Sequence, residues 1–270
     1  MSMWTGNAAV VSAKRKLRQK IAKRLQEVTD ESIISQSSKI AHQVRILPEY
    51  QRARKIGIYL HLDVPDTIRR GNGRIVEVRT DLLMRNMFED DKYVFLPRVV
   101  PTTTLSPNQL QLLQLAQRRL RTTREARYLP FLSISMLHMP DIESVESLVI
   151  EDAKANSFTV KEPTEAEDAF DVGGLDLVIV PGLGFSKSCA RLGHGKGFYD
   201  NFIRLHRMWS EYNDLPRPAM IGVSFEEQLI QPTVLEDFIE LPTEDHDEIL
   251  DAVIVGDEIY RSSRSRGRRD

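Results

Sequence analysis

Residues 175–180 (LDLVIV) form the feature that most limits what this chain can fold into. The run is almost wholly apolar, has the length of a strand, and ends at Pro181. A short apolar run bounded by turn residues is typical of a strand buried on both faces, as in parallel sheets. It is far shorter than the roughly 20 residues that a membrane-spanning helix needs. The sequence therefore favours an α/β protein.

Further segments show the same alternation of strands and helices. Predicted strands cover residues 55–60, 93–96, 219–224 and 252–255, and predicted helices cover 12–28, 29–47, 76–88, 198–208 and 225–230. Ser12 is the predicted N-cap of the first helix, and Pro48 is predicted to end the second. Strands that alternate with helices predict a single α/β domain, with a mostly parallel or mixed sheet and helices on both faces.

Composition narrows the class of protein and its compartment. The net charge of −2 does not favour nucleic acid or an anionic membrane as a partner. Cys189 is the single cysteine, so no internal disulfide can form, and a reducing compartment is expected. The first 26 residues contain no acid. They are predicted to include the first helix of a cytoplasmic protein, and a mitochondrial transit peptide is the alternative.

A glycine-rich loop follows the buried strand. Gly193, Gly195 and Gly197 alternate there, with Lys196 between two of them and Arg191 just before. Glycines let backbone N–H groups approach an anion, and the following helix N-terminus and two cations add positive charge. The pattern matches neither the P-loop nor the dinucleotide fingerprint. It predicts a polyphosphate cradle, with a merely flexible surface loop as the alternative.

The residues around this loop resemble the signature of the 5-formyltetrahydrofolate cyclo-ligase family. The resemblance covers Arg191-Leu-Gly-x-Gly-x-Gly-aromatic-Tyr-Asp200 and the preceding Val-Pro-Gly-Leu-Gly-Phe. Four other segments resemble family motifs in the same order, namely residues 12–18 (SAKRKLR), 93–98 (YVFLPR), 161–163 (KEP) and 242–251 (PTEDHDEILD).

The resemblance implies an ATP- and Mg²⁺-dependent enzyme that closes 5-formyltetrahydrofolate to 5,10-methenyltetrahydrofolate and releases ADP and phosphate. It implies catalytic roles for Lys196 and Arg191. The ATP-binding residues that it implies are Lys14, Arg18, Arg191, Leu192, Gly193, His194, Gly195, Lys196, Gly197, Phe198 and Tyr199.

The same resemblance implies a folate side and a metal site. Folate contacts are expected from Leu60, Glu77, His194, Gly195, Lys196, Gly197 and Phe198, and Mg²⁺ ligation from Asp200 and Asp247. Many relatives carry tyrosine where this chain has Phe198, so a hydroxyl is missing there. Mg²⁺ prefers one or two carboxylates with phosphate oxygens and water, which suits two acids far apart in sequence.

Domain boundaries follow from the same comparison of motifs. Residues 1–11 are predicted to be a flexible N-terminus, 12–260 the cyclo-ligase domain, and 261–270 a disordered basic tail. Insertions are predicted near 65–75 and 101–131, the second as a surface helix or a mobile loop. The expected partners are small molecules, without nucleic acid or membrane, and the chain is expected to be a monomer.

Two other functions remain open at this point. One is an ATP-dependent enzyme that acts on a different small molecule through the same loop. The other is a nucleic-acid-binding module that uses the basic first helix and the arginine-rich tail.

Overall fold

A computed structural model describes residues 8–61, 76–101, 105, 107–120, 132–148, 150–151, 159–160, 166–231, 240–244 and 247–263. The helices are α1 (Ala8–Leu25), α2 (Asp30–Ile46), α3 (Pro48–Arg52), α4 (Asp81–Glu89), α5 (Pro107–Leu120), α6 (Ile142–Glu146) and α7 (Phe198–Tyr212). The strands are β1 (Lys55–Gly57), β2 (Tyr93–Pro101), β3 (Leu132–Met139), β4 (Ile150–Glu151), β5 (Thr159–Val160), β6 (Leu177–Val180), β7 (Gly184–Ser186), β8 (Arg191–Leu192), β9 (Ala219–Ser224), β10 (Leu229–Ile230), β11 (Ala252–Val255) and β12 (Glu258–Arg261), and a 3-10 helix covers Glu226–Gln228.

Seven strands form the main sheet in the order β12-β11-β9-β6-β1-β2-β3. The inner five, from β11 to β2, pair in parallel, and the edge strands β12 and β3 are antiparallel. From β1 the chain adds β2 on one side, and from β6 it adds β9 and β11 on the other. The order therefore reverses between β1 and β6, and in open α/β sheets ligands bind at the carboxyl ends of the strands at such a point.

The inner strands are buried on both faces because successive side chains point to opposite sides. In β6, Leu177 and Ile179 join one apolar cluster, whereas Val178 and Val180 join the other. The first cluster includes apolar residues of α1 to α4, and the second includes residues of α5 and α7. This arrangement confirms the predicted fold class. In the part of the chain that the structure describes, no helix combines the length and apolar character needed to cross a bilayer.

The first helix starts earlier than predicted. α1 begins at Ala8, so Ser12 lies within it and is not its N-cap. Residues 8–11 (AAVV) extend the helix, and alanine is the strongest helix former among them. The predicted flexible segment 1–11 is therefore too long at its inner end.

The predicted basic tail also starts too early. Arg261 is the last residue of β12 and lies opposite Ala252. Its guanidinium donates to the carboxylate of Glu49, with N–O distances of 2.5 and 3.2 Å. The backbone of Ser262 also donates to Asp251. Strand pairing and an ion pair thus hold Arg261 and Ser262 in the fold, although their composition alone indicates disorder. Residues 264–270 lie outside the part of the chain that the structure describes.

Four other predictions of secondary structure differ from the structure. Residues 76–80 form neither helix nor strand, and helix α4 begins only at Asp81. β2 continues through Pro97 because the pairing with β1 ends at Phe95, so that β2 pairs only with β3 at Pro97. A strand with one unpaired side tolerates proline, as an edge strand does. The predicted helix over 225–230 is a 3-10 turn followed by β10, and Pro48 begins α3 after α2 has ended.

Part of the predicted insertion 101–131 is a helix with a buried inner side. In α5, Leu112 and Gln109 are each 2% exposed. Gln109 accepts from the Ser135 hydroxyl and donates to the Ile134 carbonyl, which satisfies its buried amide. Residues 121–131, the predicted insertion 65–75 and the segment 161–163 lie outside the described residues.

Candidate functional site

The glycine loop lies at the carboxyl end of β6, next to the point where the strand order reverses. Gly195 has φ 93° and Gly197 has φ 70°, left-handed values that residues with a Cβ rarely adopt. Gly197 is also the N-cap of α7, which has 15 residues. The loop therefore leads straight into a helix N-terminus, where partial positive charge and free N–H groups favour an anion.

Helix α1 places two cations beside this loop. Arg18 donates from Nε to the carbonyl of Gly193 at 2.8 Å. Lys14 lies one turn earlier on the same side, and its Nζ is 2.5 Å from Oδ2 of Asp247 and 3.5 Å from Oε2 of Glu244. Burial lowers the pKa of Arg18, and the charge of Asp247 opposes that change. Lys16, Lys20 and Lys23 of the same helix are solvent-exposed.

Helix α7 fixes the segment that carries Asp247. Arg207 forms an ion pair with Glu248 and donates to the carbonyl of Ile249 at 3.0 Å. Arg204 lies 3.6 Å from the same Glu248 carboxylate. Oδ2 of Asp247 also accepts from the backbone N–H of Glu244 at 2.7 Å. These contacts hold Asp247 in place opposite α1.

Arg191 occupies the base of the loop. Its Nη2 lies 2.7 Å from Oδ2 of Asp200, and its Nη1 donates to the carbonyl of Pro181 at 3.2 Å. The guanidinium carbon lies 5.6 Å from the centroid of the Tyr199 ring. Arg191 is thus a buried cation with fixed orientation, in a loop whose ligand is expected to be anionic.

The outer side of the loop carries His194 and Lys196, which are both exposed. Lys196 Nζ lies 5.8 Å from the centroid of the Phe198 ring. Partial desolvation, followed by the charges of Arg191, Arg18 and Lys196, lowers the pKa of His194. His194 is therefore neutral at pH 7 and does not add to the positive charge of the loop.

These elements enclose a cleft of about 110 Å³. Most of its lining residues are predicted site residues: Lys14, Arg18, Arg191, Leu192, Gly193, Gly195, Gly197, Asp200 and Asp247. Val11 and Glu244 also line it and were not predicted. Glu244 belongs to the acid-rich segment 242–251, so the sequence motif could have indicated it as a site residue. Val11 lies in none of the sequence motifs, so nothing in the sequence indicated it.

The predicted folate residues Leu60 and Glu77 lie on two segments that are joined to each other. The Tyr59 hydroxyl donates to the carbonyl of Val78 at 2.8 Å, and the backbone of His61 contacts the Thr80 hydroxyl at 3.2 Å. In residues 76–80, Val76, Val78 and Thr80 are buried, and the alternate residues Glu77 and Arg79 are less so. β-branched residues with this period of two explain why the segment is not helical.

Glu77 lies near the end of the glycine loop. Burial raises the pKa values of both Tyr59 and Tyr199. The carboxylate of Glu77 raises both pKa values further, whereas the charge of Arg191 opposes the rise at Tyr199. Glu77 is therefore within electrostatic range of α7. Leu60 is half-buried and packs on the first apolar cluster.

The two predicted metal ligands lie in the same cleft, each paired with a cation. Asp200 contacts Arg191 and Asp247 contacts Lys14. Among the described residues no three His, Cys, Asp or Glu side chains form a metal cluster. Two carboxylates without nitrogen or sulfur donors fit Mg²⁺ held jointly with phosphate oxygens and water.

A reversing α/β sheet, a glycine loop with positive φ, and three cations that line one cleft are typical of α/β proteins that bind phosphate groups. The model of the 5-formyltetrahydrofolate cyclo-ligase family matches residues 10–256, and the chain belongs to this family. The membership confirms the predicted family and the predicted class of enzyme, an ATP-dependent ligase of folate metabolism.

Relatives match over nearly their whole length. The chain is 28% identical over 248 residues to the 5-formyltetrahydrofolate cyclo-ligase of Mus musculus. The aligned region covers 92% of this chain and 96% of the mouse protein. It is also 28% identical over 249 residues to the enzyme of the same name from Saccharomyces cerevisiae, covering 92% and 97%. The solved Aquifex aeolicus 5,10-methenyltetrahydrofolate synthetase is 20% identical, has a TM-score of 0.57 and covers 95% of this chain and 96% of its own, which shows a shared fold.

Proposed function

We propose that the chain catalyses the ATP-dependent cyclisation of 5-formyltetrahydrofolate to 5,10-methenyltetrahydrofolate, with release of ADP and phosphate. The convergence of Lys14, Arg18 and Arg191 on one side of the glycine loop carries this proposal. Family membership supplies the reaction, and the cleft supplies groups suited to it. Phosphoryl transfer needs positioning and charge stabilisation more than a protein nucleophile. The described cysteine, Cys189, fits no nucleophilic role because burial raises its pKa to about 11.

Two of these cations, Arg191 and Arg18, are held in position before a ligand binds. Arg191 is held by Asp200 and a carbonyl, so its orientation is fixed before a ligand binds. Arg18 is held by the carbonyl of Gly193 and lies against the turn at Gly195. Fixed charges stabilise a phosphate without the cost of reorganisation during the reaction. Leu192 and Gly193 would contribute backbone contacts to ATP.

Lys196 is the proposed cation for the transferred phosphoryl group. It is exposed and lies over Phe198, so its flexible side chain can reach a ligand that covers the loop. His194 would contact the ligands as a neutral imidazole, because its pKa is lowered. Neutral histidine can donate one hydrogen bond and accept another.

Asp200 and Asp247 would hold Mg²⁺ on the phosphates. When bound, the ion would neutralise phosphate charge and orient the oxygens. Both carboxylates contact cations in the free protein, so these contacts must be shared or exchanged when phosphates and metal arrive.

Leu60 and Glu77 would contact the folate. They lie beyond β1, on the other side of the reversal point from the glycine loop. A carboxylate such as Glu77 accepts two hydrogen bonds, which suits the amino and N–H groups of a pterin ring. The two substrates would then lie at the ends of the two strands that flank the reversal point.

The test is to incubate pure protein with 5-formyltetrahydrofolate, ATP and Mg²⁺ and follow methenyltetrahydrofolate absorbance. Product that requires both nucleotide and metal supports the proposal. No absorbance change under any metal and nucleotide condition refutes it. Parallel assays with other folates distinguish this activity from an ATP-dependent reaction on a different small molecule.

Assembly and compartment are part of the same proposal. We propose a cytoplasmic monomer, since the single thiol is buried and suits a reducing compartment. Nucleic acid is not a proposed partner, because Lys14 and Arg18 of the basic helix face the cleft. A light-scattering mass above one chain, or mitochondrial enrichment of the tagged full chain, would contradict it.

A further inference from the structure

Tyr199, the second residue of α7, has a buried hydroxyl group without a partner. Its oxygen makes no hydrogen bond within the parts of the chain that the structure describes. The ring packs on the second apolar cluster beside Arg191. A buried polar group left unpaired costs about 1–3 kcal/mol, and each such group in a native protein calls for an explanation.

A second buried tyrosine nearby gives a direct comparison. The charge of Glu77 raises the pKa of Tyr59, as it does that of Tyr199. Its hydroxyl, however, donates to the carbonyl of Val78 at 2.8 Å. Tyr59 is therefore satisfied within the protein and holds the segment of Glu77, whereas Tyr199 has a free donor.

The surroundings of Tyr199 indicate what its donor can meet. Burial raises the pKa of Tyr199; the charge of Arg191 opposes this rise and the charge of Glu77 adds to it, so the phenol keeps its proton at physiological pH. The residues that line the anion cleft do not include Tyr199. At Tyr199 the carboxylate of Glu77 opposes the positive charge of Arg191, so a phosphate is favoured less there than in the cleft, where three cations converge. A neutral ligand does not depend on this positive charge. Its N–H groups would donate to Glu77, and a neutral oxygen of the same ligand would accept from Tyr199.

We propose that the Tyr199 hydroxyl donates a hydrogen bond to a carbonyl oxygen of the bound folate. This inference rests on the proposed function. It assigns the hydroxyl to the folate, whereas the family resemblance implies an ATP-binding role for Tyr199. Tyr199 is the only tyrosine in residues 191–200, because position 198 is phenylalanine. Tyr199 would then link the loop that holds the phosphates to the substrate that receives the phosphoryl group.

The test compares Tyr199→Phe with the parent in three measurements. Calorimetry gives the affinity for 5-formyltetrahydrofolate without nucleotide, and separately for a non-hydrolysable ATP analogue with Mg²⁺. Thermal unfolding gives the stability of the free protein. Loss of one neutral hydrogen bond should weaken folate binding about tenfold and leave the nucleotide affinity unchanged. The melting temperature should stay or rise, because an unpaired buried group is removed.

Tyr59→Phe is the matched control. It removes a satisfied hydroxyl, so its melting temperature should fall. Unchanged folate affinity in Tyr199→Phe, a lowered melting temperature, or a loss confined to the nucleotide would each overturn the inference. If the parent binds folate and turns it over while Tyr199→Phe binds it equally well, the proposed function survives and only this inference fails. A parent that neither binds nor converts the folate refutes both.

Discussion

The guanidinium of Arg191 lies 2.7 Å from the carboxylate of Asp200, and the two side chains are only 4% and 16% exposed. They are nine residues apart, on opposite sides of the glycine turn, so the ion pair closes the loop at its base. A buried pair of this kind contributes modestly as a whole, but removal of one partner leaves an uncompensated charge.

Asp200→Asn should therefore lower stability as well as raise the Mg²⁺ concentration needed for half-maximal rate. Neutralising a fully exposed acid would leave the melting temperature almost unchanged. Asp200, however, pairs with the buried Arg191, which would lose its counter-charge. We expect a loss of about 2–4 kcal/mol, near the range for breaking a buried pair. Urea unfolding of the free protein and a magnesium titration measure the two effects. The double variant with Arg191→Met should recover part of the stability, and a single variant as stable as the parent would contradict the pairing.

Asp247→Asn tests the second proposed metal ligand. The expected result is a higher magnesium requirement, since the carboxylate lies in the cleft and an amide is a weaker ligand. Loss of its ion pair with Lys14 should also lower the melting temperature. Asp245→Asn, in the same acid-rich segment, is the control. If Asp245→Asn instead raises the magnesium requirement and Asp247→Asn does not, the metal role moves to Asp245.

Lys196→Ala separates catalysis from folding. The side chain is exposed, so its removal should leave the unfolding free energy within about 0.5 kcal/mol of the parent. Turnover should fall by about 10²–10³-fold if Lys196 stabilises charge in the transition state. Lys20→Ala, an exposed cation on α1, is the control and should retain full activity. Near-normal turnover in Lys196→Ala would make Lys196 an ordinary solvated residue.

The sheet and the loop were predictable because their signals are local. The apolar runs of β6, β9 and β11 alternate between two buried faces, and no other structure suits them as well. Lys14 and Arg18 are four residues apart in the first predicted helix and therefore share one face of it, and both line the cleft.

The rest depends on contacts between distant residues. The position of the segment that carries Glu77 is set by contacts of Val78 and Thr80 with the chain beyond β1. The pairing of Lys14 with Asp247 spans 233 positions. The unpartnered hydroxyl of Tyr199 is a property of its surroundings, so no sequence pattern could have shown it.

His206 should make the protein sensitive to mild acid. It is 1% exposed, and its Nε2 accepts the backbone N–H of Leu175 at 2.8 Å, beside Gly174 where a Cβ would lie 3.0 Å from the ring. Burial lowers the pKa of His206 to about 4. In the unfolded chain histidine has a pKa of about 6.5. Between these values the unfolded state binds more protons than the native state, so stability falls as the pH decreases.

Asp168 opposes this effect over part of the same range. Burial raises the pKa of Asp168 to about 6, so the native state binds more protons than the unfolded state as the pH decreases through 6. The parent curve alone therefore mixes two contributions of opposite sign, and a variant is needed to isolate that of His206.

His206→Gln provides this isolation, because an amide oxygen can accept the Leu175 N–H without titrating. The variant should be less stable than the parent at pH 7, since glutamine packs less well than imidazole beside Phe170. Between pH 7 and pH 5 the stability difference should shrink by about 2 kcal/mol, since 1.36 kcal/mol corresponds to one pH unit of linkage. Urea unfolding at both pH values measures this change. A difference that stays constant with pH would show that His206 titrates alike in the native and unfolded states, and that the buried, neutral histidine described above is wrong.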